Sequence, residues 1–196
     1  FSSFCNRKYG IGTKSGTSAL FLCLKALGIG QGDEVITVPN TFFATSESII
    51  NAGASVRLVD VDPKAYTMDP KLLEGAISKK TKAIMPVHLY GQAADMQPIM
   101  DIAKKHSLHI IEDCAQAHGA EFKNRKVPIS IIGCFSFFPG KNLGAYGDGG
   151  MVVTDNKELY EKISMLRDHG MKNGEKYSHK INGYNDRLDT IQAAIL

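Results

Sequence analysis

The lysine at position 141 sits in "SFFPGKNLGAYGDGG" (136–150), between an aromatic–proline run and a glycine-rich stretch. A lysine there can grip a phosphate, form an imine with an aldehyde, or stay solvated. An imine-forming lysine needs an approachable backbone, which glycines offer, and surroundings that disfavour its ammonium form. A P-loop lysine instead needs a glycine where Phe135 stands and a hydroxyl where Asn142 stands, so the ligand that would hold Mg²⁺ is missing. The string "GIGQGD" (28–33) resembles a dinucleotide fingerprint, but it follows a helical stretch and precedes a strand, the reverse of that site.

The imine reading engages other residues. Pyridoxal phosphate requires a helix N-terminus and hydroxyls for its phosphate. It also requires a carboxylate that keeps its ring nitrogen protonated, so that the ring acts as an electron sink. The ring needs an aromatic or amide group against one face. Gly16, Thr17 and Ser136 are candidates for the phosphate, Asp113 for the nitrogen, and Phe42 or Gln116 for the ring. Structural readings stand beside these: Asp113 as a helix cap, Phe42 as core with Phe43 as its rival, Gln116 as a surface amide, Ser136 as a satisfied strand hydroxyl. His88, His118 and His179 could help position a substrate or be structural. No histidine pair has metal-ligand spacing, so no metal is expected.

The elements that must position these residues alternate regularly. Helical spacing covers 17–27, and "GIGQGDE" stops that helix with glycine. Strand-like 34–38, helical 41–53, strand 55–61, a helix near 69–78, strand 82–87, helix 96–106 and strand 109–113 follow. Strands 132–138 and 150–155, a helix over 156–168 and a last helix from about 185 complete the chain. Short apolar runs alternating with helices predict one α/β domain with a mostly parallel sheet, buried on both faces. Asp113, His88, Ser136 and Lys141 fall at or just after the carboxyl ends of strands, where open α/β sheets gather ligands.

Composition narrows the class of function. The chain has 196 residues, 43% hydrophobic and 22% charged, which suits one sizeable globular domain. A net charge of +3 with no basic block gives no reason to expect nucleic acid or an anionic membrane as partner. Cys5, Cys23, Cys114 and Cys134 form no CxxC pair, and three of them lie in apolar runs as reduced core cysteines do, which argues against a disulfide framework and points to the cytoplasm. The opening "FSSFCNRKYG" has no initiator Met and no apolar leader, and reads as part of a longer chain.

The strings "SGTSAL", "GDEVITVPNTFFAT", "TKAIMPVHLYGQAADM", "IIEDCAQAHGA", "CFSFFPGKNLGAYGDGG" and "GYNDRLDTIQAAIL" recur in this order in one family. On them the chain resembles the DegT/DnrJ/EryC1/StrS family of pyridoxal-phosphate-dependent sugar aminotransferases across essentially its whole length. The resemblance implies the large domain of an aspartate-aminotransferase-like enzyme (fold type I): a three-layer α/β/α sandwich over residues 1–196, with the family's N-terminal segment and small C-terminal lobe outside it. It implies Lys141 as the Schiff-base lysine and proton carrier, and Asp113 as the pyridinium partner. It further implies Gln116 at the ring or its phenolic oxygen, Gly16, Thr17 and Ser136 at the phosphate, and Phe42 as the stacking aromatic. Asn185 would reach the cofactor phosphate of a neighbouring subunit, so a homodimer with shared sites is implied. Arg187 could hold a substrate carboxylate or phosphate. The implied reaction moves an amino group from L-glutamate to a keto-sugar nucleotide, and "HLYGQAADM" leans towards 3-keto sugars. A sugar dehydratase of the same family is the nearest alternative, but those enzymes carry histidine at the position of Lys141. A non-catalytic sensor of pyridoxal phosphate or a sugar nucleotide is the other. One departure stands out: family members usually show Gly-Asp before the "GCFSF" strand, where this chain reads "VPISII".

Overall fold

The computed structural model describes residues 1–172, 175 and 177–196. Along the chain run β1 (Tyr9–Thr13), α1 (Gly16–Ala26), β2 (Glu34–Thr37), α2 (Ala44–Ala52), β3 (Ser55–Leu58), α3 (Leu73–Ala76), β4 (Thr81–Ile84) and α4 (Met96–Lys105). Then come β5 (His109–Ile110), β6 (Glu112–Asp113), β7 (Glu121–Phe122), β8 (Arg125–Lys126), β9 (Ile132–Ser136), β10 (Gly150–Thr154), α5 (Lys157–Leu166) and α6 (Thr190–Ile195). Two four-stranded ladders, β3-β2-β4-β5 and β6-β9-β10-β1, meet at a seam. There β5 and β6 are halves of one strand parted by Ile111, and Val87 bridges Asp113 in parallel. β2 pairs in parallel with β3 and β4, as do β4 with β5 and β6 with β9; β10 runs antiparallel to both β9 and β1. The sheet is mostly parallel, as the apolar runs predict.

Side-chain alternation builds the three layers. Val35, Ala83, Cys134 and Val152 join one buried cluster with residues of α1, α2 and α5. Their neighbours Ile36, Ile84, Phe135 and Val153 join a second cluster with residues of α3 and α4. A strand sends successive side chains to opposite faces, so each strand feeds both cores and both helical layers are held to one sheet. α1 stops as its glycine signal predicts: Gly28 takes φ +76°, its amide donates to Lys25 O, and the Ile29 amide donates to Leu24 O. That pair of bonds is a Schellman closure, which favours glycine at the left-handed position.

Several elements differ from the sequence reading. The helix expected near 69–78 is a 3₁₀ turn (Pro70–Leu72) followed by the single turn of α3. The last helix begins at Thr190, not near 185, because the Tyr184 and Asp186 amides donate to Leu166 O and Arg167 O and hold that segment extended. β1 was not foreseen: "YGIGT" has two glycines and little β-branching, and it is a strand because it pairs along its whole length with β10. The β7–β8 hairpin also escaped, since Lys123 and Asn124 adopt φ +50° and +61° without the Asn-Gly or Asp-Gly signature of such turns.

Candidate cofactor and active site

A cleft of about 460 Å³ lies where the carboxyl ends of β6 and β9 meet the first turn of α1. Gly16, Thr17, Phe42, Asp113, Gln116, Ser136 and Lys141 all line it. Residues up to 125 positions apart thus converge because the parallel strands β6 and β9 end side by side and α1 packs across β9 and its neighbour β10. Asn185 lies outside the cleft, exposed, in a bridge to Asp168.

Asp113 is the buried end of the site. Its Oδ2 accepts the Thr45 hydroxyl at 2.8 Å and its Oδ1 accepts the Ala115 amide at 3.1 Å. Burial pushes its carboxyl above the usual carboxylate range, and the Ala115 amide and Thr45 hydroxyl pull partly against that. A cation brought against such a carboxylate would be strongly favoured. Thr45 was missed by sequence reasoning, although its place in the first turn of the helix opening at "TFFAT" puts a hydroxyl over the strand ends.

The opposite end is built by close approach. Ser15 caps α1, its Oγ accepting the Ser18 amide at 3.1 Å. The amides of Gly16 and Thr17 head the helix and have no intrahelical acceptor. A Cβ on Gly16 would sit 2.7 Å from Ser136 Cβ, and one on Gly150 would sit 2.4 Å from the Ser15 carbonyl. The start of α1 is therefore pressed onto the ends of β9 and β10. A Cβ on Gly144 would likewise meet the Pro139 carbonyl oxygen at 2.5 Å. Gly144 and Gly150 owe their identity to contacts within the chain, not to room for a cofactor, which corrects the simplest reading of the glycine-rich stretch.

Lys141 follows β9 by a turn in which its amide donates to Phe138 O at 2.9 Å. Among the described residues its amino group makes no hydrogen bond or ion pair. Gln116 Oε1 accepts the Tyr90 amide at 2.9 Å, and among the described residues its NH₂ makes no hydrogen bond. Phe42 is 71% exposed and lines the cleft. Phe43, equally outward, does not line it. Asp148, not singled out in the sequence, adds a carboxylate to the rim. Arg187 is paired with Asp168 at 2.5 Å, away from the cleft.

On the other face of β6 lies a buried polar knot. Glu112 accepts His88 Nε2 at 2.8 Å, the Ile129 amide at 2.8 Å and the Ser130 amide. Burial raises its carboxyl, but bonds from His88, Ser130 and Ile129 outweigh it and hold the group below the usual range. The "VPISII" segment is thus anchored through Glu112, and Pro128 fills the space where a Cβ on Gly133 would come within 2.5 Å. Glu112, His88 and Cys114 lie within 4.8 Å of one another. Both ring nitrogens of His88 are already engaged, Nδ1 accepting the Ala94 amide at 3.0 Å. His118 sits among Phe1, Phe135 and Phe137, where burial pushes its imidazole down. His179 Nδ1 pairs with the His169 carbonyl at the surface. Among the described residues no helix is long and apolar enough to cross a membrane, and all four cysteines are buried and free.

An α/β/α sandwich with a strand-end carboxylate, a lysine and a helix N-terminus around one cleft is the large-domain architecture of the pyridoxal-phosphate aminotransferases. The chain matches the DegT/DnrJ/EryC1/StrS aminotransferase family over residues 1–196, and it belongs to that family. It is 54% identical over 189 residues to the UDP-N-acetyl-3-dehydro-alpha-D-glucosamine 3-aminotransferase of Acidithiobacillus ferrooxidans, covering 96% of this chain and 51% of that protein. It is 52% identical over 196 residues to a pleiotropic regulatory protein of Geobacillus stearothermophilus, covering 100% of this chain and 52% of that protein. The NtdA protein of Bacillus subtilis, solved with bound cofactor PMP, superposes with a TM-score of 0.94 at 40% identity, covering 99% of this chain and 44% of that one. The chain spans about half the length of the curated relatives it matches.

Proposed function

We propose that the cleft binds pyridoxal phosphate and that the chain is the cofactor lobe of an aminotransferase acting on a keto-sugar nucleotide. The reading is carried by the convergence of Lys141, Asp113 and the first turn of α1 on one cleft. The chemistry fits the group: free helix amides beside the Ser136 hydroxyl suit a phosphate dianion, and a buried carboxylate suits a ring cation. Pyridoxal phosphate supplies an electron sink for negative charge developing on the substrate carbon beside nitrogen.

This chain's residues do the rest. The Asp113 carboxylate would hold the proton on the ring nitrogen, its two oxygens fixed by Thr45 and Ala115. Lys141 Nζ would be the point of covalent attachment; once released, it would carry a proton between the substrate carbon that bears nitrogen and the cofactor, once in each half-reaction. The Gly16 and Thr17 amides and the Ser136 hydroxyl hold position and contribute orientation rather than chemistry. Phe42 would cover a ring face, and the Gln116 NH₂ would donate to the phenolic oxygen. Asn185, exposed outside its own cleft, reaches the site of a second copy, so activity requires the homodimer. The amino donor is L-glutamate. The acceptor is a 3-keto sugar nucleotide, in line with "HLYGQAADM" and with the name of the Acidithiobacillus relative. The reaction belongs to the cytoplasm, in keeping with four free, buried thiols.

A single-turnover experiment tests this. The full-length protein, loaded with pyridoxal phosphate and mixed with L-glutamate, should release one equivalent of 2-oxoglutarate per site. A second reading, a ligand-binding regulator, is favoured by the name of the Geobacillus relative. Cofactor uptake with no 2-oxoglutarate would select that reading and reject the transferase.

A further inference from the structure

His88 has no place in the chemistry above, yet it is 0% exposed and every polar atom of its ring is committed. The Ala94 amide donates to Nδ1 at 3.0 Å, so Nδ1 carries no hydrogen and the ring proton is on Nε2. That proton is donated to Glu112 at 2.8 Å, and Glu112 takes two further amides from residues 129–130. The His88 backbone amide donates to Asp113 O at 3.1 Å, and the Asp113 amide donates to Pro86 O at 2.9 Å. One residue thus closes the turn 88–94 from inside and ties it to both residues of β6.

That turn carries strain. Tyr90 holds φ +52°, a left-handed conformation that costs a non-glycine residue energy, and Gly91 follows at φ +84°. Its product is one outward amide, Tyr90 N–H, which Gln116 Oε1 accepts. Because the amide is a donor, the carbonyl end of Gln116 must face Tyr90 and the NH₂ end must face away. Gln116 and Lys141 line both the cofactor cleft and the adjoining hollow of about 580 Å³ that Tyr90 borders.

We propose that His88 is a positioning residue: by clamping the turn 88–94 it sets the Tyr90 amide that orients Gln116, and by its own amide it holds the backbone of Asp113. The reach of this clamp to the cofactor rests on the function proposed above; the clamp itself does not.

Two substitutions separate the arms. His88→Gln keeps a donor for Glu112 but loses the acceptor for Ala94. His88→Asn keeps an acceptor for Ala94 but loses the donor for Glu112. In the full-length protein without cofactor, His88→Gln should speed hydrogen exchange at the Tyr90 amide by about tenfold, and His88→Asn should speed it less. Cofactor dissociation constants then complete a double-mutant cycle with Gln116→Ala. His88→Gln should weaken pyridoxal phosphate binding about tenfold in the native background and less than about twofold in Gln116→Ala. Equal factors in both backgrounds, or equal exchange at Tyr90 in the two His88 variants, would overturn the proposal and leave His88 a core residue. Should His88→Gln fail to fold, the exchange rate in His88→Asn decides alone: a Tyr90 amide opened as fully as in peptide contradicts the clamp. No cofactor uptake by the native protein would instead reject the proposed function, with the exchange data still reporting on the clamp.

Discussion

The Thr45 hydroxyl donates to Asp113 Oδ2 at 2.8 Å, and both side chains are buried. α2 and β6 are 68 positions apart at these residues, so the bond joins the helix that carries Phe42 at its approach to the strand that carries the carboxylate. Thr45→Val keeps the shape and removes the donor. Asp113 then has one stabilising partner fewer and its carboxyl moves further up. The expected loss is about tenfold in kcat/KM and about 1 kcal/mol in stability. Steady-state kinetics and thermal melts read both, and Thr45→Ser should restore most of each.

Asp113 itself should show opposite effects on stability and function. Burial raises its pKa in the folded protein, so folding favours the protonated form. Its contribution is fully present below the unfolded value of about 4 and is lost as pH rises through the folded value. Asp113→Asn abolishes that loss. The cofactor-free variant should melt above the native protein at pH 7, with the gap closing below pH about 4. Transamination should fall by at least ~100-fold, because a neutral amide cannot hold the ring proton. A variant less stable at every pH would refute the assignment of the carboxyl's burial penalty.

Glu112 carries the reverse sign. Its folded pKa lies below the usual value, since bonds from His88, Ser130 and Ile129 outweigh the burial that raises it. Its stabilisation is present above the unfolded value and is lost as pH falls through the folded one. In Glu112→Gln, the NH₂ group must face at least one of the donors that the carboxylate now accepts. A cost of about 3–5 kcal/mol is expected near neutral pH, measured by urea denaturation, with a weaker dependence of stability on acid than in the native protein.

Gly150→Ala tests the close packing at the end of the cleft proposed to take the phosphate. Its Cβ would lie 2.4 Å from the Ser15 carbonyl, which is backbone and cannot swing aside. Overpacking of this kind costs about 1–3 kcal/mol. Because the displaced group is the cap of α1, cofactor affinity should fall along with the melting temperature. Gly75→Ala, where a Cβ meets nothing within 4 Å inside α3, is the control: cofactor affinity should not change, and the melting temperature should hold or rise slightly, as a helical glycine replaced by alanine does.

What the sequence could show follows from the range of the forces involved. Strand ends were legible because fully buried strands are continuous apolar runs, and Asp113 and Ser136 sit where two such runs stop. α1 was legible at its glycine stop. β1 was not, because its identity depends on β10 at the far end of the chain rather than on its own residues. Thr45 was hidden for the same reason: a threonine in a helix has no local sign of the carboxylate it will meet. The glycines of 140–150 drew attention to the right loop for an incomplete reason, since spacing alone cannot tell a close approach of the chain to itself from a close approach to a ligand. Asn185 gives no local sign of its role, because it is exposed and lies outside the cleft of its own chain.

The proposed function stands or falls on Lys141 as the point where the cofactor is held. The full-length protein is incubated with pyridoxal phosphate, reduced with borohydride, digested and sequenced by mass spectrometry. One pyridoxyl group per chain is expected, on Lys141, and none on that peptide in Lys141→Ala. Label on another lysine, or a folded protein that takes none, would contradict it.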